Sequence, residues 1–295
     1  MDLVKIKKHQ INFQTLQSVT NPNSIHGIYP YRGKISAKEA VNVISQFSKN
    51  KTLLDPFCGT GTIIFEGNNH GLNVIGVDRN PLAITISKGK LSLKNSSKES
   101  ILKETDKIIK KSNNIKKFSK IPDEAKKAFH KETAMQIMKM KECYNDMSDY
   151  LKSIFCGSIC LAARGCNDYM WTSTTVGKDI QPKRFINFYD KFAAKSKKHF
   201  VESSNDKKSS IILGDSRNLT SLIPKKSVDY VFTSPPYFDA LDYTAYYAKF
   251  VMPILGMNRM EVKKNLIQFI KTYEQDMTQV LSQLNTVTKD DALII

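Results

Sequence analysis

Short apolar runs alternate with helical stretches over the first and last parts of the chain, and the middle follows neither rhythm cleanly. Ser36-Ala37-Lys38-Glu39 reads as a capping box, and Ala40, Val41, Ile44 and Phe47 fall on one face of the helix it opens, which is expected to run to about Lys49. Thr52–Asp55 reads as a strand, Pro56-Phe57-Cys58-Gly59-Thr60-Gly61-Thr62 as a glycine-containing turn, Ile63–Asn69 as a helix and Asn73–Asp78 as a second strand. A short helix follows Asn80-Pro81 and ends near Leu93. Beyond it, Leu102–Lys111, Ala125–Tyr144 and Pro182–Phe200 are helical by propensity and spacing. Strand patterning resumes at Ser210–Asp215 and Val228–Phe232, then a helix at Thr272–Leu284 and an apolar strand at Ala292–Ile295. Strands alternating with helices predict an α/β fold with a parallel sheet.

Charge marks the middle as different. Residues 88–207 hold 26 Lys and Arg against 14 Asp and Glu, which accounts for +12 of the chain's +17. Such a balance selects a polyanionic partner, nucleic acid ahead of a membrane surface, without selecting a reaction. The expected organisation is a first half of an α/β domain over 1–93, a basic, mainly helical insert over 94–207, and the second half over 208–295. No apolar run reaches the roughly 18 residues of a membrane span, so a cytoplasmic protein with no membrane partner is expected. The five cysteines stand at irregular spacing without C-x-x-C pairs, which signals neither a disulfide framework nor a metal site.

Two stretches carry the chemistry. Gly59 and Gly61 let the backbone pass close to a ligand at the positive end of the following helix. A dinucleotide fingerprint would need glycine at position 64, where Ile64 stands, and no Gly-Lys-Ser/Thr follows to cradle a nucleotide triphosphate. Asp78 ends the second strand of this β-α-β unit, where a carboxylate accepts from ribose hydroxyls. The ligand read from these residues is ribosyl, with a tail other than pyrophosphate. The second stretch is Thr233-Ser234-Pro235-Pro236-Tyr237, directly after an apolar strand. Neither proline can donate to a ladder and each fixes its own φ, so the strand must stop at a stiff corner. Aromatics beside cationic or amide side chains, Tyr31 near Lys34 and Trp171 near Arg164 and Asn167, suit stacking and hydrogen bonding to bases and phosphates or plain loop packing.

Asp55-Pro56-Phe57-Cys58-Gly59-Thr60-Gly61-Thr62, Asp78, Asp215 and Ser234-Pro235-Pro236-Tyr237 together resemble the S-adenosylmethionine-dependent DNA amino-methyltransferases that act on cytosine N4 or adenine N6. The resemblance covers residues 26–93 and 208–295 and leaves the insert uncovered. It implies a Rossmann-like methyltransferase sheet with helices on both faces and S-adenosylmethionine as cofactor, often within a restriction-modification or defence system. Carried over by position, Asp55, Phe57, Gly59 and Gly61 line the methionine end of the cofactor, with Pro56 and Thr62 also counted as cofactor-binding. Asp78 then takes the ribose hydroxyls and Asp215 the adenine amino group. Ser234, Pro235, Pro236 and Tyr237 form the catalytic corner, and serine at 234, commoner among the cytosine enzymes, tilts the base towards cytosine. The chain has no Pro-Cys pair of the kind that cytosine C5 enzymes need.

The partner implied is duplex DNA with one base flipped out onto Tyr237. Tyr31 and Tyr243 are candidates for further walls, and Arg164, Asn167, Trp171, Lys183 and Arg184 for contacts made by the insert. Adenine N6, guanine N2 of tRNA, and a catalytically silent DNA-binding subunit stay open as alternatives. The family sheet has seven strands and Ala292–Ile295 is the fifth, so a fragment, or a sheet completed by a second chain, is expected. A cognate restriction endonuclease is a further expected partner.

Overall fold

The computed structural model describes residues 24–31, 33–94, 96–163, 184–203, 206–237, 242–246 and 248–295. Among them five strands, β1 (Thr52–Asp55), β2 (Asn73–Asp78), β3 (Ser209–Leu213), β4 (Val228–Val231) and β5 (Thr288–Ile294), form one sheet in the order β3-β2-β1-β4-β5. Every pairing is parallel. The chain moves outward from β1 through β2 to β3, then returns to the other side of β1 as β4. The crevice between the carboxyl ends of β1 and β4 is therefore the switch point of the sheet, where open α/β folds place their ligands.

Alternation within β1 builds both faces. Leu53 enters a cluster with Val74 and with residues of α1 (Ala37–Ile44) and α2 (Thr62–His70). Its neighbour Leu54 enters the opposite cluster, with Val231 and with Val280, Leu284 and Val287 of α11 (Ile270–Val287). The result is a Rossmann-like α/β sheet flanked by helices, parallel as the patterning predicts and of the kind the resemblance implies.

The third and largest cluster joins α3 (Pro81–Leu91) to α4 (Lys98–Asn113), α5 (Asp123–Lys126), α6 (Lys131–Lys141), α7 (Asp149–Ala162), α8 (Phe188–His199) and α9 (Ala248–Ile254). Helix α7 is buried on nearly every side, as its mostly apolar sequence requires. The lysine-rich helices α4, α6 and α8 each turn a narrower apolar face into the same cluster.

Several local expectations fail. Helix α1 ends at Ile44 rather than near Lys49, and Ser36 caps it without a side-chain hydrogen bond, so the capping box is not made. Val41 is 40% exposed while Val43 takes the buried position. Residues 125–144 form two helices, α5 and α6, with buried Phe129 packed in the break. Strand β5 begins at Thr288, before the apolar run that announced it. Helix α10 (Arg259–Asn265), like α9, lacks a strong enough apolar rhythm to be read from sequence.

Candidate active site

Strand β1 delivers Asp55 to the crevice, almost wholly buried at 2% exposure. Its Oδ1 accepts from the Phe57 amide at 3.1 Å and from the Thr233 hydroxyl at 2.9 Å, so one carboxylate ties the end of β1 to the residue that follows β4. Burial pushes this carboxyl up to about 7, against the lowering effect of those two donors. The turn after Asp55 needs left-handed backbone, and it has glycine at both such places, Gly59 (φ 49°) and Gly61 (φ 72°).

Neighbouring elements tie the turn down on all sides. The Cys58 amide donates to the Val77 carbonyl at 3.0 Å and the Gly59 amide to Asp78 Oδ2 at 2.8 Å. The Ser87 hydroxyl of α3 donates to the Gly59 carbonyl at 2.7 Å, and the Ser216 hydroxyl donates to the Pro56 carbonyl. At the start of α2, Thr62 lines the cleft, and its buried hydroxyl has no partner among the described residues. A buried polar atom left unmet at a helix N-terminus beside a glycine turn is what a polar ligand group would satisfy.

Asp78 accepts from the Asn80 amide through Oδ1 at 2.8 Å and from the Gly59 amide through Oδ2 at 2.8 Å, and it lines the cleft. Burial raises its carboxyl as well. Asp215 is different. It caps the turn Ser216–Ser221 through the Arg217 amide, receives the Arg217 guanidinium on both oxygens, and pairs with Arg79. Burial opposes its ionisation, but the bonds from Arg217 and the two guanidinium charges hold it below the usual carboxylate range. As built, its acceptor sites are filled by arginine, so an adenine amino group could be received only after Arg79, itself 36% exposed, swings away.

The corner after β4 starts from two backbone anchors, Phe232 N to Leu54 O at 3.1 Å and Thr233 N to Ile295 O at 3.2 Å. The cleft, about 850 Å3 including space open to solvent, is lined by Asp55, Phe57, Gly59, Thr62, Asp78, Asp215, Ser234 and Pro236 among others. Pro56 and Gly61 shape the turn without lining that cleft, and Pro235 and Tyr237 are exposed outside its wall. Tyr31 and Tyr243 do line it, their rings stacked at 6.4 Å and 26°. Arg184 is exposed and forms no part of the lining. Arg164, Asn167, Trp171 and Lys183 lie outside the described residues.

Sequence reasoning missed a second layer behind the turn. His26 is buried between α2 and α3, with Nε2 2.6 Å from Glu66 Oε1 and Nδ1 3.4 Å from Lys90 Nζ. A carboxylate only accepts, so the ring donates from Nε2 to Glu66, and with Lys90 charged Nδ1 accepts from its ammonium. Burial lowers the titration of both bases, Lys90 to about 7. The His26 carbonyl accepts from Lys34, another lining residue, at 2.9 Å. Charged residues at helical spacing in α2 and α3 were the available signal, but nothing in sequence pairs them with a histidine 40 residues earlier. Leu266 and Ile267, which wall the cleft from beyond α10, carried no signal at all.

A family model for the D12 class N6 adenine-specific DNA methyltransferases matches residues 37–286. The chain is 23% identical over 317 aligned residues to the type II methyltransferase M.MjaII of Methanocaldococcus jannaschii, covering 96% of this chain and 54% of that protein. It is 34% identical over 131 residues to the type II methyltransferase M.MvaI of Kocuria varians, covering 40% of this chain and 28% of that protein. The chain thus spans about half the length, or less, of these curated relatives. Among solved structures, the rRNA methyltransferase AviRa from Streptomyces viridochromogenes superposes loosely, with a TM-score of 0.31 and 13% identity over 75% of this chain and 70% of that one.

Proposed function

Because this chain belongs to the D12 class N6 adenine-specific DNA methyltransferase family, we propose that it transfers a methyl group from S-adenosylmethionine to an exocyclic amino group of a DNA base. One observation carries the reading. A glycine turn fit for a nucleoside cofactor and a Ser-Pro-Pro-Tyr corner share one cleft at the ends of adjacent strands, joined by the Thr233–Asp55 hydrogen bond.

The residues present fit the cofactor: Gly59 lines the cleft without a side chain, the buried Thr62 hydroxyl beside it lacks a partner among the described residues, and Asp78 lines the cleft as an acceptor. Bound there, S-adenosylmethionine supplies a methyl group on a sulfonium, open to attack by a nitrogen lone pair. Asp55, Phe57 and the turn would hold its methionine end, and Asp78 its ribose. Asp215 would receive the adenine once Arg79 yields. Ser234 and Pro235 act on the base. An exocyclic amino group is a poor nucleophile because its lone pair is delocalised into the ring. The Ser234 hydroxyl and the Pro235 carbonyl, accepting from its two N–H groups, favour a pyramidal nitrogen whose lone pair is free. Placement and electrostatics then provide most of the acceleration. Exposed Tyr237 offers its ring to a base rotated out of the duplex.

We read the base as cytosine, attacked at N4, on the strength of Ser234; the family's own description favours adenine N6 as the second reading. The lysine-rich helices of the 94–207 segment, with Arg184 exposed near their end, are proposed to contact DNA. The type II methyltransferases among the relatives support a place beside a restriction endonuclease. Nucleoside analysis after incubation with radiolabelled S-adenosylmethionine and duplex DNA or tRNA tests this. Label in N4-methylcytosine supports the first reading and label in N6-methyladenine the second. Label only in tRNA, or none, rejects both.

A further inference from the structure

The peptide between Pro236 and Tyr237 is held at both of its polar ends. The Pro236 carbonyl accepts from Tyr273 Oη at 2.7 Å, and the Tyr237 amide donates to Tyr243 Oη at 3.1 Å. These two groups belong to one planar unit, so the two phenols fix its plane and its rotation together. They reach it from separate elements. Tyr273 stands in the first turns of α11, packed against the cluster on that face of the sheet. Tyr243 belongs to the turn 242–246, which Asp242 pins to α10 by accepting from Arg259 at 2.9 Å and Lys263 at 2.7 Å, while the Arg259 Nε donates to the Thr244 carbonyl at 2.7 Å.

Upstream, Thr233 is already fixed by its backbone bond to Ile295 and its side-chain bond to Asp55. Between these anchors lie Ser234, Pro235 and Pro236, where both prolines fix φ and both pre-proline residues are restricted. Once the 236–237 peptide is held, little torsional freedom remains in the corner. Burial raises the titration of both phenols, so each keeps its hydrogen at neutral pH.

We propose that Tyr273 and Tyr243 are positioning residues for methyl transfer, clamping the 236–237 peptide so that the Ser234 hydroxyl and the Pro235 carbonyl stay aimed at the target amino group. This rests on the function proposed above. A packing role alone would need only the rings. Phenylalanine keeps the ring and removes one oxygen, so it separates the two roles.

In Tyr273→Phe we expect kcat to fall about tenfold, with the Kd for S-adenosylmethionine within twofold of the parent and an unchanged melting temperature, as small misplacements of reacting groups cost rate rather than ground-state binding. Tyr243→Phe should lose less, about threefold, because water can replace the phenol at the exposed Tyr237 amide. A Tyr273→Phe kcat within twofold of the parent would overturn the proposal. So would a loss matched by equally weakened cofactor binding. Amide exchange at Tyr237 gives a readout independent of activity: slow in the parent and faster in Tyr243→Phe if the clamp exists, fast in both if it does not. A parent protein that transfers no methyl group yet protects this amide would reject the proposed function while leaving the clamp standing.

Discussion

The loops that follow β1 and β4 sit side by side in one crevice and reach rigidity by opposite means. The loop after β1 is built on glycines, which have the most backbone freedom of any residue, and it is immobilised from outside by Val77, Asp78, Ser87 and Ser216. The corner after β4 contains its own stiffness in two fixed proline torsions and is tied only at its ends, by Ile295 and Asp55 before it and by Tyr273 and Tyr243 after it. The first arrangement leaves a fixed wall with close backbone approach at Gly59, suited to a cofactor of fixed shape. The second leaves polar groups and an open aromatic ring at the mouth of the cleft, where a base must arrive from outside.

The largest effect should come from Ser234→Ala, which touches only the second loop. Methyl transfer is expected to fall by more than about a hundredfold with cofactor affinity within twofold, as befits a group acting on the reacting nitrogen. Isothermal titration beside a transfer assay checks both halves, and full activity would remove Ser234 from the mechanism.

Gly61→Ala should be next and should do the reverse. Its Cβ would stand 2.8 Å from Ser87 Oγ and 3.3 Å from Ser87 Cα, and φ of 72° is strained for alanine by roughly 1–2 kcal/mol. Cofactor affinity should drop about tenfold or more and the melting temperature by several degrees, with the Tyr237 amide still protected. Equal damage to both loops would show them to be one mechanical unit.

The smallest effect concerns pH. Asp55 is raised to about 7 from an unfolded value near 3.8, so the folded protein keeps a proton that the unfolded chain releases. Stability is therefore lost as pH rises from about 4 to 7. A cationic ammonium at the methionine end would favour the ionised carboxylate, so cofactor affinity should rise about tenfold from pH 6 to 8. Asp55→Asn should flatten both profiles, measured by thermal melts and titration across that range.

How far the sequence discloses this site depends on whether a group acts through local or distant partners. The glycine turn, Asp55, Asp78 and the proline corner announce themselves because backbone constraints are local: positive φ needs glycine, and a strand must stop at proline. The filled state of Asp215 was hidden, because Arg217 lies two residues away but Arg79 reaches it across 136 positions. Tyr273 was equally hidden as one helical residue among others. The same holds for the fold. Leu53 and Leu54 were legible as a strand, whereas the early end of α1 and the break between α5 and α6 follow from packing that no periodicity contains.

The buried ring of His26 bears on how small a working unit can be made. The family match opens at residue 37, and trimming the chain there would keep every motif residue. It would also remove the imidazole that joins Glu66 to Lys90 among the described residues, leaving the two side chains facing an imidazole-sized hole behind the glycine turn. A boundary drawn from motifs therefore runs through the support of the turn, and a chain trimmed at residue 37 is expected to lose stability there.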